Sequence, residues 1–424
     1  MLIHTPGERL KFIRLKLGLT QTGLGEELFI SGSYISHMEN GTTRIPEDFP
    51  PKLVEYMKVP KLLLPNEAFP VYNAELTRFM HMITHGDLEE AKALQPELAG
   101  AAEWSIEPYY KNKYLLFSSY YWRAVGDMEK FENTLLLLQD VAKDFDQEQL
   151  YWYERILGVQ KQLKNQYKAA LFHYRKAEEL SKYVSVNDEV IAINIGLCLR
   201  EMGYAVLSIE YLEMAQQIAD GRGGIRFYLA IKCSLAINCS RLGKIDKATN
   251  LLYDCLREAK TKKDAEFLTG GIYCYLGMVY RAGKDNDKAI ENFDNAIKCA
   301  KNGSEQYIFT LCHKASALFA AAKTNEAMKC VDEGLPISEP YPLWHTWFQT
   351  LKHFATVDDK TSRDYILNIA IPCFMEHGLH LPVIDFYLLL CRYHEGVSER
   401  KVGIKYLYAA FDMQKRLIEG DLSL

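Results

Sequence analysis

The chain has 424 residues, 48% of them apolar and 25% charged, a profile that can bury a core and excludes disordered, collagenous and disulfide-scaffold classes. Its formal net charge of −5 is too mild to mark the whole chain as a polyanion binder, and no apolar run reaches the roughly 18 residues of a membrane span. At roughly 150 residues per domain, the length suggests about three domains. The opening Met1-Leu2-Ile3-His4-Thr5-Pro6-Gly7-Glu8-Arg9 passes straight into charged helical sequence and does not read as a signal peptide. All 10 cysteines lie after position 197, with no Cys-x-x-Cys pair. They are expected to be small buried residues of a protein kept in a reducing cytoplasm.

The first elements are short helices. Thr5-Pro6-Gly7-Glu8 is a capping box with proline at the first helical position, which predicts a helix start. Leu10, Ile13, Arg14 and Leu17 then share one face, and Gly18 is a C-terminal stop. Thr20 is an N-cap for a short helix through Leu28. Ser31 caps a third helix, Gly32 to Glu39, which ends at Asn40-Gly41. Two short helices joined by a tight turn, after a longer first helix, have helix-turn-helix geometry. Gly23, Gly25 and Gly32 each weaken such helices by up to about 1 kcal/mol relative to alanine.

On Gly18-Leu19-Thr20-Gln21, Leu24-Gly25 and Ser31-Gly32-Ser33-Tyr34-Ile35-Ser36-His37-Met38-Glu39-Asn40-Gly41, residues 7 to about 60 resemble the DNA-binding domain of phage-repressor-type (Cro/C1 or Xre) regulators. The resemblance implies that Gln21 and Arg44 hold phosphates and that Arg14 pairs with Glu39. It places Gly32, Ser33, Tyr34 and His37 near base edges, with Ser31 at the helix entry. Short side chains at the start of such a helix suit the major groove. Solvated surface and simple capping are the plainer readings of the same residues. Through residue 65 there are eight Lys and Arg against seven acidic residues, a net of +1. One copy would neutralise few phosphates, so tight binding to double-stranded DNA requires a dimer on two half-sites or a palindrome.

Pro46, Pro50, Pro51, Pro60, Pro65 and Pro70 cluster among only 14 prolines. They divide the chain into a head (1–60), a linker (61–70) and a repeat region (71–424). Within the repeats, Leu276-Gly277-Met278-Val279-Tyr280 followed by Lys288-Ala289, Phe293 and Ala296 fits the tetratricopeptide pattern. The small position of the second helix recurs at Ala91, Phe131, Ala170, Ser208, Ala248, Ala289 and Ala327, at intervals of 38 to 41. Extrapolation gives Tyr365 and Gly403. Supporting sets are Leu157-Gly158 with Tyr174 and Ala177, and Ile195-Gly196 with Leu212 and Ala215. The predicted fold is all-α: a helix-turn-helix domain followed by a right-handed superhelix of about nine helical hairpins, which leaves a concave groove as a binding surface.

On the groove side, Arg123, Gln162, Arg200 and Arg281 occupy one repeat position, Arg241 falls one residue later, and Asn194 and Asn238 are one repeat plus one turn apart. Asparagine can bond both groups of an extended peptide backbone, and arginine can clamp a carboxylate. The same arginines could equally cap the ends of their helices. His81 and His85 lack the glutamate of a metalloprotease helix, and Gly221-Arg222-Gly223-Gly224 lacks the lysine of a phosphate loop. Trp104, Trp122, Trp152, Trp344 and Trp347 suit packing between repeats. No nucleophile–base–acid set is evident, so no enzyme, cofactor or metal is expected.

Head and repeats together are similar to the peptide-responsive RRNPP regulators of Gram-positive bacteria, in particular their neutral-protease regulator branch. That resemblance implies a cytoplasmic quorum sensor that binds a short signalling peptide in the groove and changes its self-association (dimer or tetramer), and with it the spacing of two heads. It also implies a sporulation response regulator as a further partner of the peptide-free form. The alternative is a response-regulator inhibitor or phosphatase of the Rap type, whose relatives carry a helical bundle instead of a DNA-binding head. A plain scaffold is the third reading.

Overall fold

The computed structural model describes residues 4–46, 48–57, 68–184, 189–219, 225–261, 268–356, 359–396 and 400–422. The stretch 221–224 and most of the expected linker lie outside the described residues. No strand occurs among those described, and they divide into two compact units, residues 1–156 and 157–424.

The first unit opens with α1 (Pro6–Lys16), α2 (Gln21–Glu27) and α3 (Gly32–Glu39), followed by α4 (Phe49–Met57). The caps explain the boundaries. Thr5 Oγ1 accepts from the Glu8 N–H at 3.2 Å while the Glu8 carboxylate accepts from the Thr5 N–H at 2.6 Å, the reciprocal pair of a capping box. Thr20 and Ser31 accept from the N–H groups of Gly23 and Tyr34 at 2.9 and 3.1 Å. Leu10, Ile13, Leu24, Leu28, Ile35, Met38, Ile45, Phe49 and Leu53 form one buried core. The helix-weakening glycines have a packing reason. A Cβ on Gly25 would meet the Ile30 carbonyl at 2.6 Å, and one on Gly32 would meet Thr22 Cα at 2.9 Å. Only glycine lets α2 and α3 approach this closely.

The rest of the first unit is α5 (Ala68–His85), α6 (Leu88–Trp104), α7 (Pro108–Val125), α8 (Met128–Val141) and the first part of α9 (Gln147–Leu163). Trp152 lies edge-on to Phe117 and Tyr120 at 5.2 and 6.0 Å, which fills the space between successive helices with aromatic area. The head is fastened to the bend between α6 and α7. Arg9 Nε donates to Glu107 Oε1 at 2.8 Å, Lys16 Nζ donates to the Glu103 carbonyl at 2.7 Å, and Trp104 packs against the head core.

The second unit continues α9 and adds α10 (Tyr167–Leu180), α11 (Glu189–Met202), α12 (Ala205–Ala219), α13 (Ile225–Arg241), α14 (Ile245–Thr261), α15 (Thr269–Ala282) and α16 (Asn286–Cys299). It then runs through α17 (Glu305–Ala320), α18 (Thr324–Ile337), α19 (Pro342–Thr356), α20 (Asp359–Tyr365), α21 (Ile371–His377), α22 (His380–Gly396) and α23 (Arg400–Glu419). The period has a direct structural meaning: Ala91, Phe131, Ala170, Ser208, Ala248, Ala289 and Ala327 are all 0% exposed. Opposite them, Cβ atoms on Gly158, Gly196 and Gly277 would sit within 2.6–2.9 Å of Tyr174, Leu212 and Phe293. In these three hairpins the small residue and the large ring or leucyl group are complementary halves. Trp344 and Trp347 join an aromatic chain with Phe309 and Phe374 at 5.1 and 5.2 Å.

The extrapolation to Tyr365 is corrected. Tyr365 is half-buried, and the buried position is Ile366, the first residue of a π-helical turn (Ile366–Ala370) that joins α20 to α21. Ile366 follows Ala327 by 39 positions, within the range of the other intervals, so a fixed step of 38 falls one residue short. Gly403 is buried where α23 crosses the Cys391 carbonyl. The cysteines are free thiols, all buried except Cys299 and the half-buried Cys373.

Within the second unit the array returns on itself. Asn165 Nδ2 donates to Glu305 Oε1 at 2.6 Å, His380 Nδ1 lies 3.1 Å from the Met202 carbonyl, and the Tyr204 hydroxyl donates to the Asp421 carbonyl at 2.8 Å. Its first helices therefore touch its last.

Candidate functional site

In the head, the groove-reading candidates do not share one environment. Ser33 and His37, four positions apart on α3, are exposed, and His37 Nδ1 bonds Thr42 Oγ1 at 3.0 Å. Arg44, in the segment after α3, is also exposed. Ser31 is the N-cap, with its hydroxyl used on the Tyr34 N–H. Gly32 is spent on the approach to α2, and Tyr34 packs against the head core. Thr22 and Phe29 are exposed beside this helix start, Phe29 by 86% at a positive φ of 60°. Sequence reading passed over both, because neither has an obvious groove-contacting chemistry.

A buried ionic clamp holds α1 to α3. Arg14 Nε and Nη2 donate to Glu39 Oε1 and Oε2 at 2.5 and 3.0 Å, and Arg14 Nη1 donates to the Leu19 carbonyl at 2.8 Å. The bond to Glu39 raises the Arg14 pKa, so the cation is secure. Gln21, expected at a phosphate, donates its Nε2–H to Glu39 Oε2 at 2.9 Å. It is half-buried at the N-terminus of α2, so the carboxylate that fixes Arg14 also sets the orientation of this amide.

The repeat-region candidates separate by depth. Arg123 is exposed in the first unit, while the others lie in the second. Gln162 Oε1 accepts from the Tyr174 hydroxyl at 2.7 Å. Asn194 is half-buried on α11. Arg200 is buried and already engaged: Nη1 donates to Ser234 Oγ at 2.8 Å, Nε donates to Glu201 Oε1 at 3.0 Å, and the guanidinium lies 5.3 Å from the Tyr275 ring centroid. Burial opposes its charge, but the Tyr275 and Glu201 side chains outweigh it and hold the Arg200 pKa above its ordinary value. Arg241 donates to the Arg200 carbonyl, and burial beside Arg200 pushes its pKa down to about 10.

Asn238 is the most deeply placed of the set. It is 0% exposed, Nδ2 donates to Ser208 Oγ at 2.8 Å, and Ser208 Oγ donates to the Gly196 carbonyl at 2.6 Å. This chain lies between α11, α12 and α13, while Asn238 Oδ1 keeps no hydrogen-bond partner there. Helical spacing identifies a face, but it does not distinguish its centre from its buried edge.

Arg281 is the least satisfied cation of the set. It is half-buried on α15, its Nε–H has no hydrogen-bond partner, and burial lowers its pKa while Asp385 on α22 partly restores it. Burial in turn raises the Asp385 pKa, with Arg281 opposing. His313, 5% exposed, stacks on Phe293 at 6.2 Å and meets Phe309 and Trp347 edge-on at 4.5 and 5.3 Å. Burial, reinforced by Arg281, holds its pKa near 3, so the ring is neutral. A cation with an unused donor beside an aromatic wall suits a carboxylate attached to an apolar group. Among the described residues no cluster could hold a metal ion, and no helix is long and apolar enough to cross a membrane.

These features define a helix-turn-helix head followed by a tetratricopeptide-like helical array. A helix-turn-helix family model matches residues 10–62. The chain is similar to the transcriptional activator NprA of Geobacillus stearothermophilus, 21% identical over 402 residues, which cover 92% of this chain and 98% of that protein. Its fold is similar to NprR in complex with its cognate peptide NprX (TM-score 0.72, 18% identity, 81% of this chain and 98% of that one). It is equally similar to a Rap protein complexed with competence and sporulation factor (TM-score 0.72, 15% identity, 82% and 99%).

Proposed function

We propose that the chain is a peptide-responsive transcriptional regulator whose head binds double-stranded DNA and whose helical array takes a short signalling peptide. The observation that carries this reading is Arg281, a half-buried guanidinium with an unpartnered Nε–H near the neutral His313 ring, which Phe309 and Trp347 meet edge-on. An unused buried donor costs about 1–3 kcal/mol, and a peptide carboxylate would recover that cost. Arg241 and Asn194, expected on the same side of the array, are further contacts in this reading. The family resemblance, the NprA similarity and the fold shared with NprR in complex with its cognate peptide support it. A ligand can act only through differential affinity for two states.

The test is a thermal-shift screen of synthetic short peptides, followed by calorimetry of any ligand found and DNA footprinting with and without it. Arg281→Gln is expected to weaken peptide affinity at least tenfold while leaving the peptide-free footprint in place. Unchanged affinity would remove the site, and absence of any footprint would remove the DNA-binding role. Release of phosphate from a phosphorylated response regulator would favour the Rap-type reading instead.

A further inference from the structure

The hairpin of α13 and α14 is built around one apolar core that holds three cysteines, Cys233, Cys239 and Cys255. Cys233 lies a little over two turns before the end of α13, and Cys255 just under three turns after the start of α14. The short connection 242–244 joins the two helices, so positions about equally far from it come level in the antiparallel pair. The two thiols meet there, and the Cys233 S–H donates to Cys255 Sγ. They are 5% and 0% exposed, among Leu229, Ala236, Leu252 and Leu256.

Charge favours reaction at one of the two sulfurs. Lys232 acts on Cys255 and the Arg200 guanidinium on Cys233. The hydrogen bond from Cys233, helped by Lys232 and opposed by burial, lowers the Cys255 pKa. The same bond, together with burial, holds Cys233 well above the ordinary thiol value. The thiolate is the nucleophile, so Cys255 reacts first and Cys233 resolves the product. We propose that this pair is an oxidative modification site, at which a small hydroperoxide forms a disulfide that staples α13 to α14.

The Cys255 thiolate attacks one oxygen of hydrogen peroxide, the O–O bond breaks, and hydroxide leaves to take up the proton that Cys255 released. Cys255 is then a sulfenic acid. The Cys233 sulfur attacks the Cys255 sulfur, the S–O bond breaks, and the Cys233 proton leaves with the hydroxyl as water. Two thiols are oxidised, one peroxide is reduced, and two waters are released. Burial sets the class of oxidant. Peroxide is small and uncharged and enters on local opening of the hairpin, whereas a disulfide of glutathione size meets closed walls. The staple acts on more than two helices, because Ser234, next to Cys233, takes the Arg200 Nη1–H at 2.8 Å and Asn238 bonds Ser208. Helix α13 is thus a wall that α11 and α12 share, and fixing it stiffens the middle of the second unit. The inference is independent of the peptide reading, and its test needs neither peptide nor DNA.

The test treats the reduced full chain with hydrogen peroxide, blocks the remaining thiols by alkylation, and maps the products by mass spectrometry. A peptide pair linked through Cys233 and Cys255 of one chain is expected, with the melting midpoint raised by about 3 °C or more. Oxidised glutathione at equal concentration is expected to modify the exposed Cys299 and to leave this pair reduced. Cys233→Ala is expected to stop at the sulfenic acid, which dimedone traps on Cys255, whereas Cys255→Ala keeps Cys233 as a thiol. Should either variant misfold, the wild-type chain decides: no linked peptide while circular dichroism shows the fold intact would overturn the site. So would a link that forms only in denaturant, equal linking by oxidised glutathione, or a dimedone adduct on Cys233 in place of Cys255.

Discussion

Asn165 and Glu305 stand 140 positions apart in sequence, yet their side chains meet at 2.6 Å. Glu305 Oε1 also accepts the Trp344 indole N–H at 3.1 Å, and the Tyr167 hydroxyl donates to Asn165 Oδ1 at 2.8 Å. One carboxylate therefore ties the turn before α10 to the starts of α17 and α19. Glu305→Ala leaves two partly buried donors without an acceptor, at a cost of about 1–3 kcal/mol. Faster hydrogen exchange in α10 and α19 is expected, with total helicity unchanged. Exchange rates equal to the wild type would mean that this contact contributes nothing to closure of the second unit.

Gly277 offers a test of the repeat packing. A Cβ there would lie 2.6 Å from Phe293 Cε1, on a ring that is itself 0% exposed. Gly277→Ala is expected to destabilise by about 1–3 kcal/mol through overpacking. Phe293→Leu, harmful alone, should recover part of that loss when combined with it. Thermal melts of the two single variants and the double variant measure the coupling, and strict additivity would refute the complementary pairing.

Acid should loosen the same unit. His380 is 0% exposed, edge-on to Tyr204 at 5.8 Å, and burial holds its pKa near 4, with Lys168 acting in the same direction and the Met202 carbonyl opposing. The folded value lies below the free value of about 6.5. Above about pH 6.5 the ring is neutral in both states and the contact is complete. As pH falls further, the unfolded chain takes up a proton that the folded one refuses, and stability drops until about pH 4. By pH 5 the loss amounts to about 2 kcal/mol. His380→Gln should flatten the dependence of the melting midpoint on pH between 7 and 5. Some slope remains because burial holds His313 near 3. An unaltered slope would exclude His380 as a cause.

Glu39 is the hinge of the head's polar chemistry, since it accepts from both Arg14 and Gln21. Glu39→Gln strands a buried guanidinium and is expected to cost about 3–5 kcal/mol. Replacing both members, Arg14→Met with Glu39→Met, should return most of that stability, but it also releases Gln21. On the proposed function, the double variant folds yet binds DNA more weakly at every sequence tested, with the salt dependence unchanged because Gln21 is neutral. Wild-type affinity in that variant would separate Gln21 from the phosphate role.

Much of this architecture is legible in the residues. Thr5, Thr20 and Ser31 declare the starts of α1, α2 and α3 because caps act within one turn of chain. The period from Ala91 to Ala327 is legible because each hairpin buries this position completely, with a small residue at all but Phe131. Depth and long-range pairing are not. Asn238 and Arg281 share the same polar pattern, yet Asn238 is 0% exposed with its amide N–H bonded to Ser208, while Arg281 is half-buried with an unused donor. Lys113 reads as a surface cation but is 4% exposed, where it donates to Glu148 and Asn73 at 2.8 and 2.9 Å. Its partners come from helices about one repeat away, which spacing alone does not pair. The π turn at Ile366 is invisible for a related reason, since a one-residue slip leaves the apolar content unchanged.

The anchoring of α1 through Arg9 to Glu107 and Lys16 to Glu103 has a mechanical consequence. A head held only by a proline-rich tether would swing, and its position would depend on tether length. A head bolted to the corner between α6 and α7 behaves as the short arm of a crank. Any rotation of that corner moves α3 through a fixed arc, so lengthening the tether leaves the arc unchanged, whereas cutting the two bolts frees the head to miss its mark.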